Sequence, residues 1–334
     1  MDERNLRGGR DGVSLPLIWY GYLMRVMSIS MKPFGSRLWL AFAPLVLACN
    51  STGSDIDPEE HAAEVESWHS RRVESLKRPD SWFSLVGLYW LDEGSSSFGS
   101  DSSNAVVFPP KAPPRIGSLV RTENRVEMIV NEGVTVLRDG QPVRTMTMAA
   151  PDLNEQVQVQ LGSLKWFVIE RGENLVGIRL RDTEDPAIEA FDGIEMFPIS
   201  LDWRLPAKFD RYDPPKLIRI PNVIGTVSMQ PSPGAAVFEV GGEEVRLDVT
   251  GDPNGERFSI VFGDATNGYE TYGGGRFLTV NAPDDRGNMF VDFNRATNPP
   301  CAFTAFATCP LPPRQNILRV RIEAGEMSYG KNGH

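Results

Sequence analysis

Three features of the chain predict a mainly β fold. Short apolar runs recur along its length, separated by clusters of Gly, Pro, Asn, Asp and Ser. Glycine (31) and proline (26) punctuate the sequence too often for a helical protein. Helical spacing is confined to residues 57–79. The expected architecture is an N-terminal helix over 57–79, a small β-sandwich over 80–150, and a second β-sandwich or barrel-like sheet over 151–330.

Residues 1–48 read as a targeting segment. Lys32 and Arg37 precede an apolar run from Leu38 to Leu47, and Leu45-Val46-Leu47-Ala48-Cys49 puts a small residue directly before a cysteine. A basic region, an apolar stretch and a small residue make a secretory signal. The cysteine makes it a lipoprotein signal, with the chain cut before Cys49 and the thiol lipidated. The apolar run, which contains Pro44, falls short of the roughly 20 residues that a spanning helix needs. Met24, Met27 and Met31 offer alternative starts, and Met31 leaves the most compact basic region. Residues 49–56 form a Ser/Gly/Asp-rich tether. The expected address is the bacterial cell envelope, with the membrane held through lipid at Cys49. Asn50, rather than an aspartate, points to the periplasmic face of the outer membrane in a cell with two membranes.

Without residues 1–48 the chain has 28 basic and 41 acidic side chains, a net charge of −13. Such a balance does not favour nucleic acid or an anionic membrane through bulk charge. Cys301 and Cys309 remain after Cys49, and in an exported chain they are candidates for one disulfide, with a reduced buried pair as the alternative. No CxxC and no nearby histidine supports a metal pair. His61, His69 and His334 are the only histidines, which argues against a His-based triad or a multi-histidine metal site.

Asp57-Pro58-Glu59-Glu60 opens the helix. Asp57 caps, proline suits the first helical position, and the acids suit the positive end of the dipole. Ala62, Val65, Trp68, Val73 and Leu76 follow, and Pro79 ends it. His69, Arg71 and Arg72 read as a solvated face. Strands are expected at Ser81–Leu91 and Ala105–Phe108, then a hairpin of Val126–Val130 with Val134–Leu137 across Asn131-Glu132-Gly133. The motif Gly94…Phe98-Gly99-Ser100, a short strand, a bend, a hairpin and Asp139-Gly140-Gln141-Pro142-Val143 resembles a forkhead-associated β-sandwich. That family binds phosphothreonine through a loop arginine and serine. Ser100 stands where it places the arginine, so the resemblance implies topology only.

Further strands are expected at 156–161, 164–170, 175–181, 217–220, 224–229, 236–240, 245–249, 257–262, 277–280 and 289–293, with a final one at Ile317–Ile322. The densest polar segment runs from Thr271-Tyr272-Gly273-Gly274-Gly275-Arg276 through Asp292-Phe293-Asn294-Arg295, Asn298-Pro299-Pro300-Cys301 and Cys309-Pro310 to Ala324-Gly325-Glu326. This run resembles the uncharacterised bacterial family numbered 1684 among domains of unknown function. Trp82…Gly87-Leu88-Tyr89-Trp90-Leu91…Phe98-Gly99, Arg181-Asp182, Phe191-Asp192-Gly193 and Trp203-Arg204 resemble its other motifs, over roughly residues 65–330. The resemblance implies no activity.

Proline-fixed turns, a glycine run and clustered charge suit a site for a polar ligand. Arg276, Asp292, Asn294, Arg295, Asn298 and Glu326 are its candidate lining. The competing reading is an ion-pair network that pins irregular loops. The chain lacks GxSxG, HExxH, P-loop and dinucleotide fingerprints, and no cofactor is expected. The expected function is a lipid-anchored envelope protein that binds a polar small molecule, a glycan or an envelope partner. The alternative is a histidine-independent hydrolase or lyase using Asp292 or Glu326 with an arginine.

Overall fold

Asp57 caps the first helix as its sequence suggests. Its Oδ1 accepts hydrogen bonds from the backbone N–H of Glu59 at 2.8 Å and of Glu60 at 3.4 Å. Helix α1 (Pro58–Leu76) follows. The structure is a computed structural model that describes residues 56–172 and 174–330. The targeting segment and Cys49 lie outside the described residues.

The fold beyond α1 is mainly β. Its first half has eleven strands: β1 (Leu85–Trp90), β2 (Gly94–Gly99), β3 (Val106–Val107), β4 (Gly117–Thr122), β5 (Arg125–Val130), β6 (Val136–Arg138), β7 (Gln141–Val143), β8 (Thr145–Ala149), β9 (Gln158–Leu161), β10 (Leu164–Arg171) and β11 (Leu175–Asp182). They make a six-stranded sheet in the order β1-β11-β10-β9-β6-β7 and a five-stranded sheet in the order β3-β2-β4-β5-β8. Phe98, Phe108, Leu119, Met128, Trp166 and Ile178 form one buried cluster with contributions from both sheets. Phe98, Phe108 and Trp166 meet edge to face, with ring centroids 5.4–5.9 Å apart.

Pairing crosses residue 150, because β1 lies beside β11. The first sheet system therefore ends at Asp182 rather than at 150. The expected hairpin across 131–133 is also replaced. Both edges of β5 are taken, by β4 and β8. The chain therefore leaves that sheet at Gly133, where φ is +80°, and β6 joins β7 and β9 instead.

A short helix, α2 (Pro186–Ala190), leads to the second system: β12 (Arg204–Pro221), β13 (Val227–Val240), β14 (Glu243–Asp248), β15 (Arg257–Phe262), β16 (Arg276–Asn281) and β17 (Asn288–Asp292). The order β14-β13-β12-β17 makes one sheet and β15-β16 a ribbon. Phe238, Leu247, Phe258, Phe262, Leu278 and Phe293 are in its core. β12 and β13 are longer than their prolines suggest. The ladder shifts between Arg211 and Lys216, which takes Pro214 and Pro215 out of pairing.

Ile317–Ile322 is not a strand. Its backbone bonds to the loop at 263–265, through Leu318 N to Gly263 O at 2.8 Å and Ala265 N to Val320 O at 3.0 Å. The Ile322 N–H then goes to the Asp264 carboxylate at 2.7 Å, so a side chain interrupts the ladder. A third cluster of Leu76, Phe83, Ile188, Phe191 and Phe303 packs the end of α1 against both halves.

Candidate functional site

A cleft of about 450 Å³ opens on the outer face of the six-stranded sheet. Alternation along β10 and β11 builds it. Trp166, Val168, Ile178 and Leu180 belong to the sandwich core, and Phe167, Arg171, Arg179 and Arg181 lie on the opposite face. Phe167 sits directly across the ladder from Arg179. Trp82, Met148 and Leu153 complete an apolar wall. Thr308 arrives from the C-terminal segment. Its Oγ1 accepts from Arg171 Nε at 2.7 Å and from Arg179 Nη2 at 3.1 Å.

The cleft is electrostatically unbalanced. Arg179 is only 6% exposed, and its Nε has no hydrogen-bond partner. Burial, followed by repulsion from Arg171 and Arg181, pulls its guanidinium down to about 10. Burial also lowers Arg171 and Arg181. Arg181 donates to the Asp80 and Ser81 carbonyls and to Ser84 Oγ. Among the described residues no carboxylate forms an ion pair with any of the three arginines. Of the two carboxylates that line the cleft, Glu155 pairs with Arg138 and Glu170 is exposed.

The six residues expected to line a site do not form one together. Arg276 is fully buried. Its Nη2 meets Asp264 Oδ1 at 3.1 Å and the Ile322 carbonyl at 2.9 Å, and Nη1 donates to the Ala324 carbonyl. Burial lowers its pKa, and Asp264 opposes that. Glu326 is fully buried too, held by Arg72 and by the Asn298 N–H at 2.7 Å. Asn298 Nδ2 donates to the Met327 carbonyl, and Asn294 exchanges two bonds with the Ser200 backbone. These four serve as struts. The glycine run is a packing device as well. Gly275 has φ +87°, and a Cβ there would stand 2.4 Å from Pro312 Cγ.

Asp292 and Arg295 alone face a recess, of about 190 Å³, together with His61, Glu64 and Arg204. His61 Nε2 lies 2.9 Å from Asp292 Oδ2, and Arg295 reaches Glu64 at 2.7 Å. The polar face of α1 is therefore not simply solvated. Arg72 and His61 dock into the protein, and burial lowers the pKa of His69. Arg71 does remain outside, donating to Ser67.

Cys301 and Cys309 are neighbours. The Cys301 N–H points to Cys309 Sγ at 3.0 Å, and both thiols are free in this structure. The thiol–thiol hydrogen bond raises Cys309, with burial adding to it, and lowers Cys301.

Residues 189–327 match the family described as Protein of unknown function (DUF1684). The match covers 139 of the 334 residues. Arg276, Asp292 and Glu326 lie within it, and so does Thr308. The three cleft arginines precede it, so the cleft is assembled where the matched residues meet the first sheet system. The solution NMR structure of an uncharacterized protein of Haloarcula marismortui is 26% identical over 42% of this chain and 78% of that chain, with a TM-score of 0.36. No curated protein matches the chain.

Sequence reading missed Arg171, Arg179 and Arg181. Two of them left a signal: Arg179 and Arg181 alternate with apolar residues in Ile178-Arg179-Leu180-Arg181, which places both on one face of a strand.

Proposed function

We propose that the protein is a lipid-anchored envelope protein that binds a small anionic molecule in the arginine cleft. The observation that carries this reading is Arg179: a nearly buried guanidinium, flanked by two more, with no described carboxylate as partner. Arginine is seldom buried unless paired. The chain as a whole carries a net charge of −10, so surplus positive charge in one cleft runs against its composition. A bound anion supplies the missing partner through forked, charge-assisted hydrogen bonds.

The anchor rests on Leu45–Cys49 and the apolar run before it. Among the described residues no helix is long and apolar enough to cross a membrane. More than one acyl chain gives a stable attachment. Mass spectrometry of the N-terminus tests this part; an unmodified chain that continues upstream of Cys49 refutes it. Catalysis by Glu326 gains no support, because Arg72 and Asn298 enclose its carboxylate.

Calorimetric titration with inorganic phosphate and sulfate tests the cleft. Binding is expected for the wild type and at least a hundredfold loss for Arg179→Met. Equal binding by both proteins would overturn the reading.

A further inference from the structure

The size and lining of the arginine cleft say more about its ligand than its charge does. A cleft of about 450 Å³ lies within the range of about 300–1,000 Å³ typical of small-molecule sites. An inorganic oxyanion is only a few times the size of a water molecule, whose share of liquid volume is about 30 Å³. It would leave most of this space unfilled. Apolar side chains bound part of what remains. Trp82, Phe167, Met148 and Leu153 line it, and the guanidinium of Arg181 lies 5.9 Å from the Phe167 ring centroid.

The charged part has its own shape. Arg171 Nε and Arg179 Nη2 converge on one neutral oxygen, Thr308 Oγ1. That oxygen marks the point where an anionic oxygen would meet both. Arg179 Nε remains buried and unpartnered beside it. A carboxylate brings one charge and two oxygens. A phosphoryl group brings a charge of about −1.5 to −2 at neutral pH and three acceptor oxygens. Three guanidinium groups answer the second better than the first.

We infer that the cleft binds an organic phosphate monoester, its phosphoryl head on Arg171, Arg179 and Arg181 and its apolar or aromatic body against Trp82 and Phe167. The inference rests on the anion reading above and adds a body and a head group to it. The two parts of the cleft divide the work. The arginines set affinity for the head, and the aromatic wall sets preference among esters. The matched residues contribute Thr308, which holds two of the arginines in register.

The test is calorimetry on the purified full-length protein at pH 7.5 and constant ionic strength, with phenyl phosphate, inorganic phosphate and benzoate as probes. Phenyl phosphate is expected to bind at least tenfold tighter than either of the others. Trp82→Ala should erase its advantage over inorganic phosphate and leave inorganic phosphate binding in place. Arg179→Met should abolish both, and Arg179→Lys, which keeps the charge and loses the fork, should weaken both. Equal affinity for phenyl phosphate and inorganic phosphate would overturn the organic body while the anion reading stands. Benzoate binding as tightly as phenyl phosphate would overturn the phosphoryl head. Failure of all three probes to bind would overturn this inference and the anion reading together.

Discussion

Arg72 and Glu326 meet across 254 positions of sequence. Arg72 Nη2 lies 3.1 Å from Glu326 Oε2, and Arg72 Nε holds the other carboxylate oxygen. The same guanidinium donates to the Asn298 carbonyl at 3.1 Å. Glu326 has no exposed surface, so the first helix supplies the counter-charge of a sealed acid.

Replacing Arg72 with alanine should therefore be costly. It leaves a buried carboxylate with one backbone N–H, a situation worth about 3–5 kcal/mol. Urea unfolding monitored by tryptophan fluorescence measures it. A loss below about 1 kcal/mol would show that Glu326 finds water or another partner when Arg72 is gone.

Arg295→Ala should behave differently. Arg295 is 28% exposed, and its partner Glu64 is 63% exposed. Exposed pairs are worth about 0–1 kcal/mol. His61 remains on Asp292 at 2.9 Å, so the acid is not stranded. The same denaturation experiment should give a change of about 1 kcal/mol or less, and a larger change would place Arg295 among the struts.

Arg179→Met should stabilise the ligand-free protein. Burial and two like charges pull Arg179 from the ordinary arginine range down to about 10, a penalty of roughly 3 kcal/mol. A base whose folded pKa is depressed destabilises the fold wherever the native group stays charged. At pH 7 that penalty is fully present, and it is relieved only as pH rises above about 10. Methionine keeps much of the stem and removes the charge, so the expected gain is about 1–3 kcal/mol. A destabilised Arg179→Met protein would mean that Arg179 is a structural partner, not a waiting ligand site.

His69 should give the fold a pH dependence near neutrality. Desolvation lowers its pKa below 6.5, Glu326 opposes that, and Arg72 adds to it. Between the folded and unfolded values the unfolded chain binds the extra proton. Stability is thus full above about 6.5, falls as pH drops below it, and levels off under the folded value. His69→Gln should flatten this slope in melting curves taken from pH 7.5 to 5. Asp101 and Asp284 cannot mimic the effect. Hydrogen bonds from Ser103 and Asn288 hold them below 3.8, so their contributions are lost only at lower pH. An unchanged slope in the variant would discard the assignment.

What the sequence reveals here depends on how far each interaction reaches. The cap at Asp57 is legible because its partners, Glu59 and Glu60, are adjacent. The β character is legible because alternation is local. The role of Arg72 is hidden because its partner lies 254 residues on. Arg179 and Arg181 show their shared face in sequence. Nothing local tells that Thr308, 129 residues after Arg179, comes to that face. Ile317–Ile322 has strand alternation, but the Asp264 carboxylate captures a backbone donor that the ladder would need.

The clasp between α1 and the C-terminal segment imposes an order of events. On a chain made from its N-terminus, α1 exists long before Asp292, Arg295 and Glu326 do. It cannot dock until Glu326 has emerged. His61, Glu64 and Arg72 are polar, which suits them to that interval, since a helix whose docking face is partly polar can stay hydrated while unpartnered. An all-apolar stripe would be exposed to premature association for the same time. The mixed face of α1 thus reads as a provision for delay.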